Sequence, residues 1–183
     1  MKQTKNYSIS QIALRIFAVL LLTIVPSVAF AQGATNPQLA KRVRHELVTL
    51  PYYGVFDNLA YSVSGSTVVL RGQVVRPTLK TEAQARVREI EGVDHVDNQI
   101  EVLPVSPFDD DIRRRAYRTI FSHPQMTKYG IQPVPPVHII VKNGNLSLEG
   151  VVANEADKNV AGILANQVPN VFSVRNHLRI SRD

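Results

Sequence analysis

Two stretches of the chain carry the same order of hydrophobic and polar positions. With a shift of 78 residues, positions 68–102 align with positions 146–180 without a gap, and eight of these 35 positions are identical. Ordinary residue frequencies would give about two or three identities. Upstream the match continues at a shift of 73, so the second stretch holds five extra residues near Gln132–Pro136. The pattern predicts two repeated domains, residues 36–103 and 109–181, joined by a linker at Pro104–Phe108.

Each repeat predicts a helix, two strands, a second helix and a last strand. In the first repeat, Leu39, Val43 and Leu47 recur at helical spacing after Asn36-Pro37, a favoured N-cap and first-turn pair. In the second repeat, Asn143-Gly144 separates two β-rich runs. This dipeptide is typical of a tight hairpin because both central residues of its turn need positive φ.

The second helix and the last strand of each repeat are predicted from two different spacings of apolar residues. Helical spacing is found at Leu79, Ala83, Val87 and Ile90, and again at Ala156, Val160, Leu164 and Val168. Strict alternation over residues 96–102 and 174–180 indicates a half-buried strand. The predicted fold class is α+β, with two tandem αββαβ domains, each a three-stranded mixed sheet packed on two helices. A domain of about 70 residues buries only about 60% of its unfolded surface, so we expect the two domains to pack together.

The composition excludes several classes of protein. The chain has 183 residues, of which 44% are hydrophobic and 20% charged, and it contains no cysteine. It is too apolar for a disordered chain, and it can hold no disulfide, cysteine-ligated zinc, thiol nucleophile or acylated cysteine anchor. Of the net charge of +6, residues 1–31 and 104–183 carry +3 each, while residues 32–103 are neutral. A uniformly basic nucleic-acid binder does not have this distribution.

The first 31 residues predict a signal peptide. Three basic residues and no acidic ones accompany an unbroken apolar run at Ile16–Val25, and Ala29-Phe30-Ala31 places small residues where a signal peptidase reads them. A retained membrane anchor is the competing interpretation. It is disfavoured because only 16 residues run from the start of the apolar segment to Ala31, whereas a span needs about 20. The sequence predicts cleavage after Ala31 and a soluble periplasmic protein.

A set of apolar positions with one glycine and one asparagine recurs in both repeats. Its segments are Val69–Val74, Ala83 and Gly92–Ile100 in the first repeat, and Leu146–Val152, Ala161 and Val171–Leu178 in the second. This set resembles the BON domain, the bacterial osmotically inducible and nodulation domain. One departure is Asn170, which stands where the first repeat has Gly92, and asparagine tolerates positive φ better than most residues. The resemblance implies an αββαβ fold, an envelope location, no catalysis, and binding of phospholipid membrane or envelope partners.

The polar and special residues of the repeats predict structure rather than catalysis. Gly72 and Gly150 lie inside predicted strands, where glycine marks a bulge or a close backbone approach, and Asn98 and Asn176 are expected to tie strand ends or turns to the backbone. The histidines lack HxxxH and HExxH spacing, and no serine lies in a nucleophile-elbow motif. We expect no enzymatic activity, no metal site and no cofactor.

A cluster of arginines with two aromatic neighbours indicates a binding function. Its members are Arg113, Arg114, Arg115, Arg118, Tyr117 and Phe121. On a helix beginning near Asp111, the arginines other than Arg113 lie opposite the apolar stripe, and the aromatic residues flank them. Arginine beside aromatic residues is typical of a helix at a membrane interface. Since each basic residue near an anionic surface contributes about 1 kcal/mol, we expect weak, salt-sensitive, peripheral binding of anionic phospholipid.

Two alternatives remain open. The arginines form only a solvated face if the aspartates ahead of them, Asp109-Asp110-Asp111, neutralise their charge; those aspartates are expected to cap the helix rather than to bind a cation. At the level of function, a phospholipid-docking module that supports envelope integrity or stress tolerance competes with an adaptor for a protein or glycan of the envelope. Export excludes nucleic acid as a partner.

We predict that the mature protein begins at Gln32 and is recovered from the periplasmic fraction. The small residues of Ala29-Phe30-Ala31 follow the apolar run at the distance that signal peptidase requires. Intact-mass measurement of the exported protein checks this. Recovery of the full-length chain in an inner-membrane fraction would contradict it.

Overall fold

A computed structural model describes residues 36–181 of the chain. These residues belong to one compact unit that spans residues 33–183. The predicted signal peptide, residues 1–31, lies outside the described residues. Within the described part, no helix has the length and apolar character needed to cross a membrane.

The first domain contains two helices around a mixed sheet. Its elements are α1 (Pro37–Val48), β1 (Asn58–Ser64), β2 (Thr67–Val74), α2 (Pro77–Arg88), β3 (His95–Asn98) and β4 (Glu101–Val102). The central strand β2 pairs antiparallel with β1 and parallel with β3 and β4. The expected N-cap is present, because the Asn36 side chain accepts hydrogen bonds from the N–H groups of Gln38 and Leu39.

The second domain repeats this arrangement with one additional short helix. Its elements are α3 (Pro107–Phe121), α4 (Thr127–Gly130), β5 (Val137–Lys142), β6 (Asn145–Val152), α5 (Glu155–Asn166), β7 (Ser173–Asn176) and β8 (Arg179–Ile180). Strand β6 is central, antiparallel to β5 and parallel to β7 and β8. Helix α4 precedes the five-residue insertion. The α+β fold with two tandem domains is confirmed.

The predicted last strand of each domain is interrupted once. In the first domain, Asn98 ends β3, and its side chain accepts a hydrogen bond from the Ile100 N–H while it donates one of 2.9 Å to the Lys80 carbonyl of α2. Asn176 makes the equivalent bonds to Leu178 and Lys158. Each asparagine thus fastens its broken strand to the second helix.

Each domain has its own hydrophobic core between sheet and helices. The first contains the predicted stripes of α1 and α2, including Leu39, Val43, Leu79 and Val87, all fully buried. The apolar stripe predicted for α5 is wrong at its first position, since Ala156 is exposed and its neighbour Asp157 is buried instead. The buried α5 positions continue at Ala161, Leu164 and Ala165. Asp157 occupies the repeat position of Leu79, which explains why an apolar pattern missed it.

Asp157 is buried because polar groups of the additional helix α4, and of Gln125 just before it, bind its carboxylate. Its carboxylate accepts hydrogen bonds from the Tyr129 hydroxyl and the Gln125 amide, and the Lys128 ammonium lies 2.8 Å away. Burial by itself raises the pKa of Asp157, but the bonds from Lys128, Tyr129 and Gln125 outweigh it and lower the pKa to about 2. The cluster holds α4 against α5, and the Tyr129 oxygen also accepts the Ala153 N–H.

We predict that Asp157→Asn destabilises the second domain by about 1–3 kcal/mol at neutral pH, because a buried charged acceptor of three hydrogen bonds is lost. A folded-state pKa below the ordinary value stabilises the protein above the unfolded-state pKa. This stabilisation is lost as the pH falls toward the folded-state value.

The difference between wild type and Asp157→Asn should therefore be full above about pH 5 and shrink toward pH 2. Urea unfolding at a series of pH values measures it. The exposed Asp94→Asn change is the control and should cost little. A pH-independent difference would refute the ionic role of Asp157.

Gly72 and Gly150 allow two strands to approach closely. Both have positive φ, +116° and +113°, and a Cβ atom added to them would lie 1.9 Å from the Asn58 oxygen and 2.0 Å from the Pro136 oxygen. Backbone oxygens at such distances cannot yield without moving the strand. The close approach expected at in-strand glycines is present at both positions.

We predict that Gly72→Val or Gly150→Val destabilises the protein by more than about 1 kcal/mol, from overpacking and from a strained φ. Gly65→Asn is the control, since Gly65 has φ +59° with no atom within 4 Å of an added Cβ and asparagine accepts this conformation. Thermal unfolding of the three variants checks the difference. Equal stability of the valine variants and wild type would contradict the assignment.

Candidate functional site

Helix α3 begins earlier than the sequence predicted. Ser106 is its N-cap and accepts the Asp109 N–H, and Pro107 occupies the first turn. The expected start near Asp111 is therefore wrong, and the helix begins inside the segment predicted as a linker. Because Ser106 caps the helix, the aspartates are free for other contacts.

Asp109 joins α3 to the hairpin of the second domain. Its buried carboxylate accepts the backbone N–H groups of Asn143 and Gly144 at 2.9 and 2.7 Å. The predicted turn has the expected geometry, with φ of +51° and +74° at these two residues. The interpretation of Asp109 as a helix cap is thus corrected, because it caps the turn between β5 and β6.

Arg113 is not part of an external basic surface. Its side chain is 3% exposed, its guanidinium pairs with Asp110, and it donates a hydrogen bond of 2.6 Å to the Val141 carbonyl. A buried, paired arginine is unavailable to a membrane. These buried contacts explain why Arg113 departs from the helical-wheel pattern of the other three arginines. Arg113 is therefore not a candidate for lipid binding.

Of the two aromatic residues beside the arginines, Phe121 is buried and Tyr117 is 37% exposed. Phe121 is buried in the core of the second domain against Gly130, and Tyr117 packs on Phe121 with ring centroids 5.1 Å apart. Tyr117 also meets Phe56 of the first domain edge to face. Phe121 therefore lacks the exposure that membrane contact requires, whereas Tyr117 keeps part of its ring exposed beside its contacts with Phe56 and Phe121.

Three arginines remain on the exposed side of α3. Asp111 lies between Arg114 and Arg115, at 3.8 and 2.5 Å from their guanidinium groups. Arg118 is exposed and has no carboxylate partner among the described residues. The aspartates thus neutralise part of the cluster, as the alternative interpretation expected, and the face retains a net charge of +2 from three arginines and one aspartate.

An exposed pair of phenylalanines adjoins this face, and the sequence pattern did not predict it. Phe108 and Phe172 have ring centroids 5.9 Å apart and contact the same turn glycine, Gly144. Phe172 is 74% exposed, and Val105, three residues before Phe108, is almost completely exposed. The signal was present at Phe172, which replaces the polar Asp94 of the first repeat in a predicted loop.

Phe108 and the three arginines share one side of α3. At 100° per residue, Phe108, Arg115, Arg118 and Arg114 fall within an arc of about 120°, and about 15 Å of helix separates the first from the last. We call these four residues with Phe172 the α3 face. The α3 face combines exposed aromatic rings at one end with an excess of positive charge at the other.

The domain junction is built from the segment between α1 and β1. The Ile139 N–H of β5 donates a hydrogen bond of 2.7 Å to the Val55 carbonyl, and the Tyr53 ring stacks on His138 at 5.5 Å. Burial lowers the pKa of His138 and raises that of Tyr53 to about 12, so both rings are neutral at neutral pH. Phe56 packs against the second core.

The described residues contain no group of three histidine, cysteine, aspartate or glutamate side chains that could hold a metal ion. A polar cleft beside the junction is lined with groups of both charges, among them Glu101, Lys142, Glu149, Arg175 and His177. Lys142 pairs with Glu101 in this cleft, and the Nδ1 atom of His177 lies 2.7 Å from a carboxylate oxygen of Glu149. Both carboxylates of the cleft are therefore already in contact with a neighbouring side chain.

Comparison with known proteins supports the resemblance seen in the sequence. The family model described as "BON domain" matches residues 35–104 and 109–182. No curated protein is similar enough to count as a relative.

Among solved structures, the C-terminal domain of CdsD, "the structural protein of the Type III secretion system of Chlamydia trachomatis", is 12% identical, with 80% of this chain and 99% of that chain covered and a TM-score of 0.29. A second structure of CdsD from the same organism is 14% identical, with 79% and 94% covered and the same TM-score.

The family model matches most of the chain, and its two matches coincide with the two domains that the helices and strands define. The chain belongs to the BON domain family and carries two copies of that domain.

Proposed function

We propose that this protein is a non-enzymatic module of the cell envelope that docks peripherally on anionic phospholipid through its second domain. The observation that carries the proposal is the α3 face, where Arg114, Arg115 and Arg118 lie beside the exposed Phe108–Phe172 pair. Arg114 and Arg115 share Asp111, and within residues 36–181 Arg118 has no carboxylate partner. Membership in the BON family supports a non-catalytic role, and the predicted signal peptide supports a periplasmic location.

The two halves of the α3 face contribute different kinds of energy. A net charge of +2 near an anionic surface gives about 2 kcal/mol, which is screened by salt. Full burial of an exposed phenylalanine gives about 1.5–3 kcal/mol and does not depend on salt. Because each ring already covers part of the other, the apolar contribution is smaller than for two free rings. The sum describes reversible docking rather than anchoring.

Buried hydrogen bonds fix the backbone that carries the α3 face, so docking does not have to order that backbone. Asp109 fixes the hairpin turn beneath Phe108 and Phe172, and Arg113 holds α3 to the Val141 carbonyl. Preorganised groups lose less conformational entropy on binding. The buried Asp109 and Arg113 thus hold in place the helix that carries the exposed arginines.

We predict that Arg114→Glu with Arg118→Glu lowers co-sedimentation with anionic liposomes by more than about tenfold, because attraction at two positions becomes repulsion. Both side chains are exposed, so the circular dichroism spectrum and melting temperature should hardly change. The control is Lys41→Glu with Arg42→Glu on α1, which should have a smaller effect because no exposed aromatic pair adjoins them.

The measurement is made with anionic and zwitterionic liposomes at low and high salt. Binding by wild type only to anionic liposomes at low salt supports the proposal. Absent wild-type binding, or binding that survives high salt and the double charge reversal, would instead favour the envelope-adaptor function.

We predict that Phe108→Ser with Phe172→Ser also weakens binding to anionic liposomes while the remaining binding stays salt-sensitive. The reason is that the change removes the apolar contribution and leaves the arginines in place. Tyr52→Ser is the control, since Tyr52 is an aromatic residue of the first domain that is as exposed as Phe172. Equal loss for Tyr52→Ser and the phenylalanine pair would refute a specific role of the α3 face.

A further inference from the structure

The polar cleft beside the domain junction lies on the sheet faces that point away from the helices. Its lining residues on β5 and β6 alternate with buried core residues, so they project from the outer face of the second sheet. The first domain contributes Gln73, Glu101 and Leu103 to the lining. The cleft has a volume of about 480 Å³, which lies within the size range of small-molecule sites, about 300–1,000 Å³.

One row of side chains crosses the second sheet inside this cleft. Ser147 on the central strand β6 is the register partner of Ile140 on β5 and of Arg175 on β7, and all three line the cleft. Because neighbouring strands lie about 4.8 Å apart, an apolar side chain, a hydroxyl and a guanidinium follow one another at that spacing. We call Ser147 and Arg175, the two hydrogen-bonding members of this row, the central pair.

The rows on either side of the central pair already contain their own contacts. The Ser173 hydroxyl donates a hydrogen bond of 2.6 Å to the Asn145 side-chain oxygen, and His177 Nδ1 lies 2.7 Å from a Glu149 carboxylate oxygen. Among the described residues, the side chains of the central pair have no hydrogen-bond or ion-pair partner. The hydroxyl and the guanidinium of the central pair are therefore available to a ligand.

The first domain carries different residues at the positions of the central pair, namely Val69 and Asp97. The Asp97 carboxylate accepts a hydrogen bond of 2.6 Å from the Gln99 amide, and the oxygen of the same amide accepts one of 3.0 Å from Arg71. Gln99 thus connects the two opposite charges of that face. The second domain has no such connection for Arg175 among the described residues, so the difference between the repeats leaves a free cation in the cleft.

The charges of the cleft favour a ligand with a single negative charge. The Arg175 guanidinium presents parallel N–H donors that match the two oxygens of a carboxylate. Two positive and two negative side chains line the cleft, so that their formal charge sums to zero with His177 neutral; they are Lys142, Arg175, Glu101 and Glu149. Because the two carboxylates repel added negative charge, a doubly charged phosphate is a poorer ligand than one carboxylate.

The uncharged polar groups of the cleft match hydroxyl groups. The half-buried Ser147 hydroxyl and Gln73 amide both line it, and each can donate and accept hydrogen bonds, as sugar hydroxyls do. We propose that the cleft binds a sugar unit that carries one carboxylate, as a uronic acid does, with the carboxylate at Arg175 and hydroxyls at Ser147 and Gln73. Among the described residues, those that line the cleft include none of the α3 face, so this binding does not depend on phospholipid.

The test uses the isotope-labelled chain, expressed from its full-length sequence and purified in the form that accumulates. Titration with glucuronate, followed by amide chemical shifts, should give saturable shifts centred on Gln73, residues 145–149 and Arg175. Glucose lacks the carboxylate and acetate lacks the hydroxyls, so each should bind more than about tenfold more weakly than glucuronate. Absent or non-saturable shifts with glucuronate would overturn the proposal, and so would acetate binding equal to that of glucuronate, because the cleft would then bind a plain anion.

Two variants place the residues of the first repeat in the cleft. Arg175→Asp should weaken glucuronate binding by more than about tenfold, because attraction becomes repulsion, and Ser147→Val should weaken it less. The matched control is Arg44→Asp, which makes the same charge change at an exposed position of α1 and should bind glucuronate as wild type does. Circular dichroism checks that all three variants are folded. Glucuronate binding that survives Arg175→Asp, or that falls equally in Arg44→Asp, would overturn the proposal.

Discussion

The structure depends on how the edge strand and the exposed face of each small sheet are covered by other parts of the chain. The second domain solves this with a segment of the first: the Ile139 N–H binds the Val55 carbonyl, Tyr53 stacks on His138, and Phe56 enters the second core. A domain of about 70 residues gains much from such a contact because its own core is small. Among the described residues, the first domain receives no equivalent cover along β1.

The contacts of α3 with the domain junction and with the core determine which of its side chains are exposed for binding. The contact of Phe56 with Tyr117 covers part of that tyrosine, and the core of the second domain buries Phe121. The exposed aromatic surface lies instead at the other end of α3, at Phe108 and Phe172. The proposed docking through this end of α3 would therefore leave the domain junction undisturbed.

Much of the fold was predictable because its signals are local and occur twice. The repeat, the helix stripes, the Asn143-Gly144 turn and the in-strand glycines each follow from residue type and spacing. The candidate site was predicted less well because exposure depends on contacts that are distant in sequence. Arg113 binds a carbonyl 28 positions away, and no helical wheel contains that partner.

Buried charged residues were the second feature that the sequence pattern did not predict. Asp109 and Asp157 lie in the interior because backbone or side-chain donors surround them, and hydrophobic patterning assigns acidic residues to the surface. Phe172 was missed for the opposite reason, since an apolar residue in a loop is usually covered. Such departures from pattern occur where a structure supports a binding face or a special packing arrangement.

The central claim is that the α3 face is the part of the molecule that touches lipid. Titration of the isotope-labelled protein with an anionic short-chain phospholipid, followed by amide chemical shifts, locates the contact residue by residue. The account predicts that the largest shifts occur at Phe108, Phe172 and residues 114–118, with little change at Val55 or Ile139. Shifts centred on the first domain, or none at all, would contradict it.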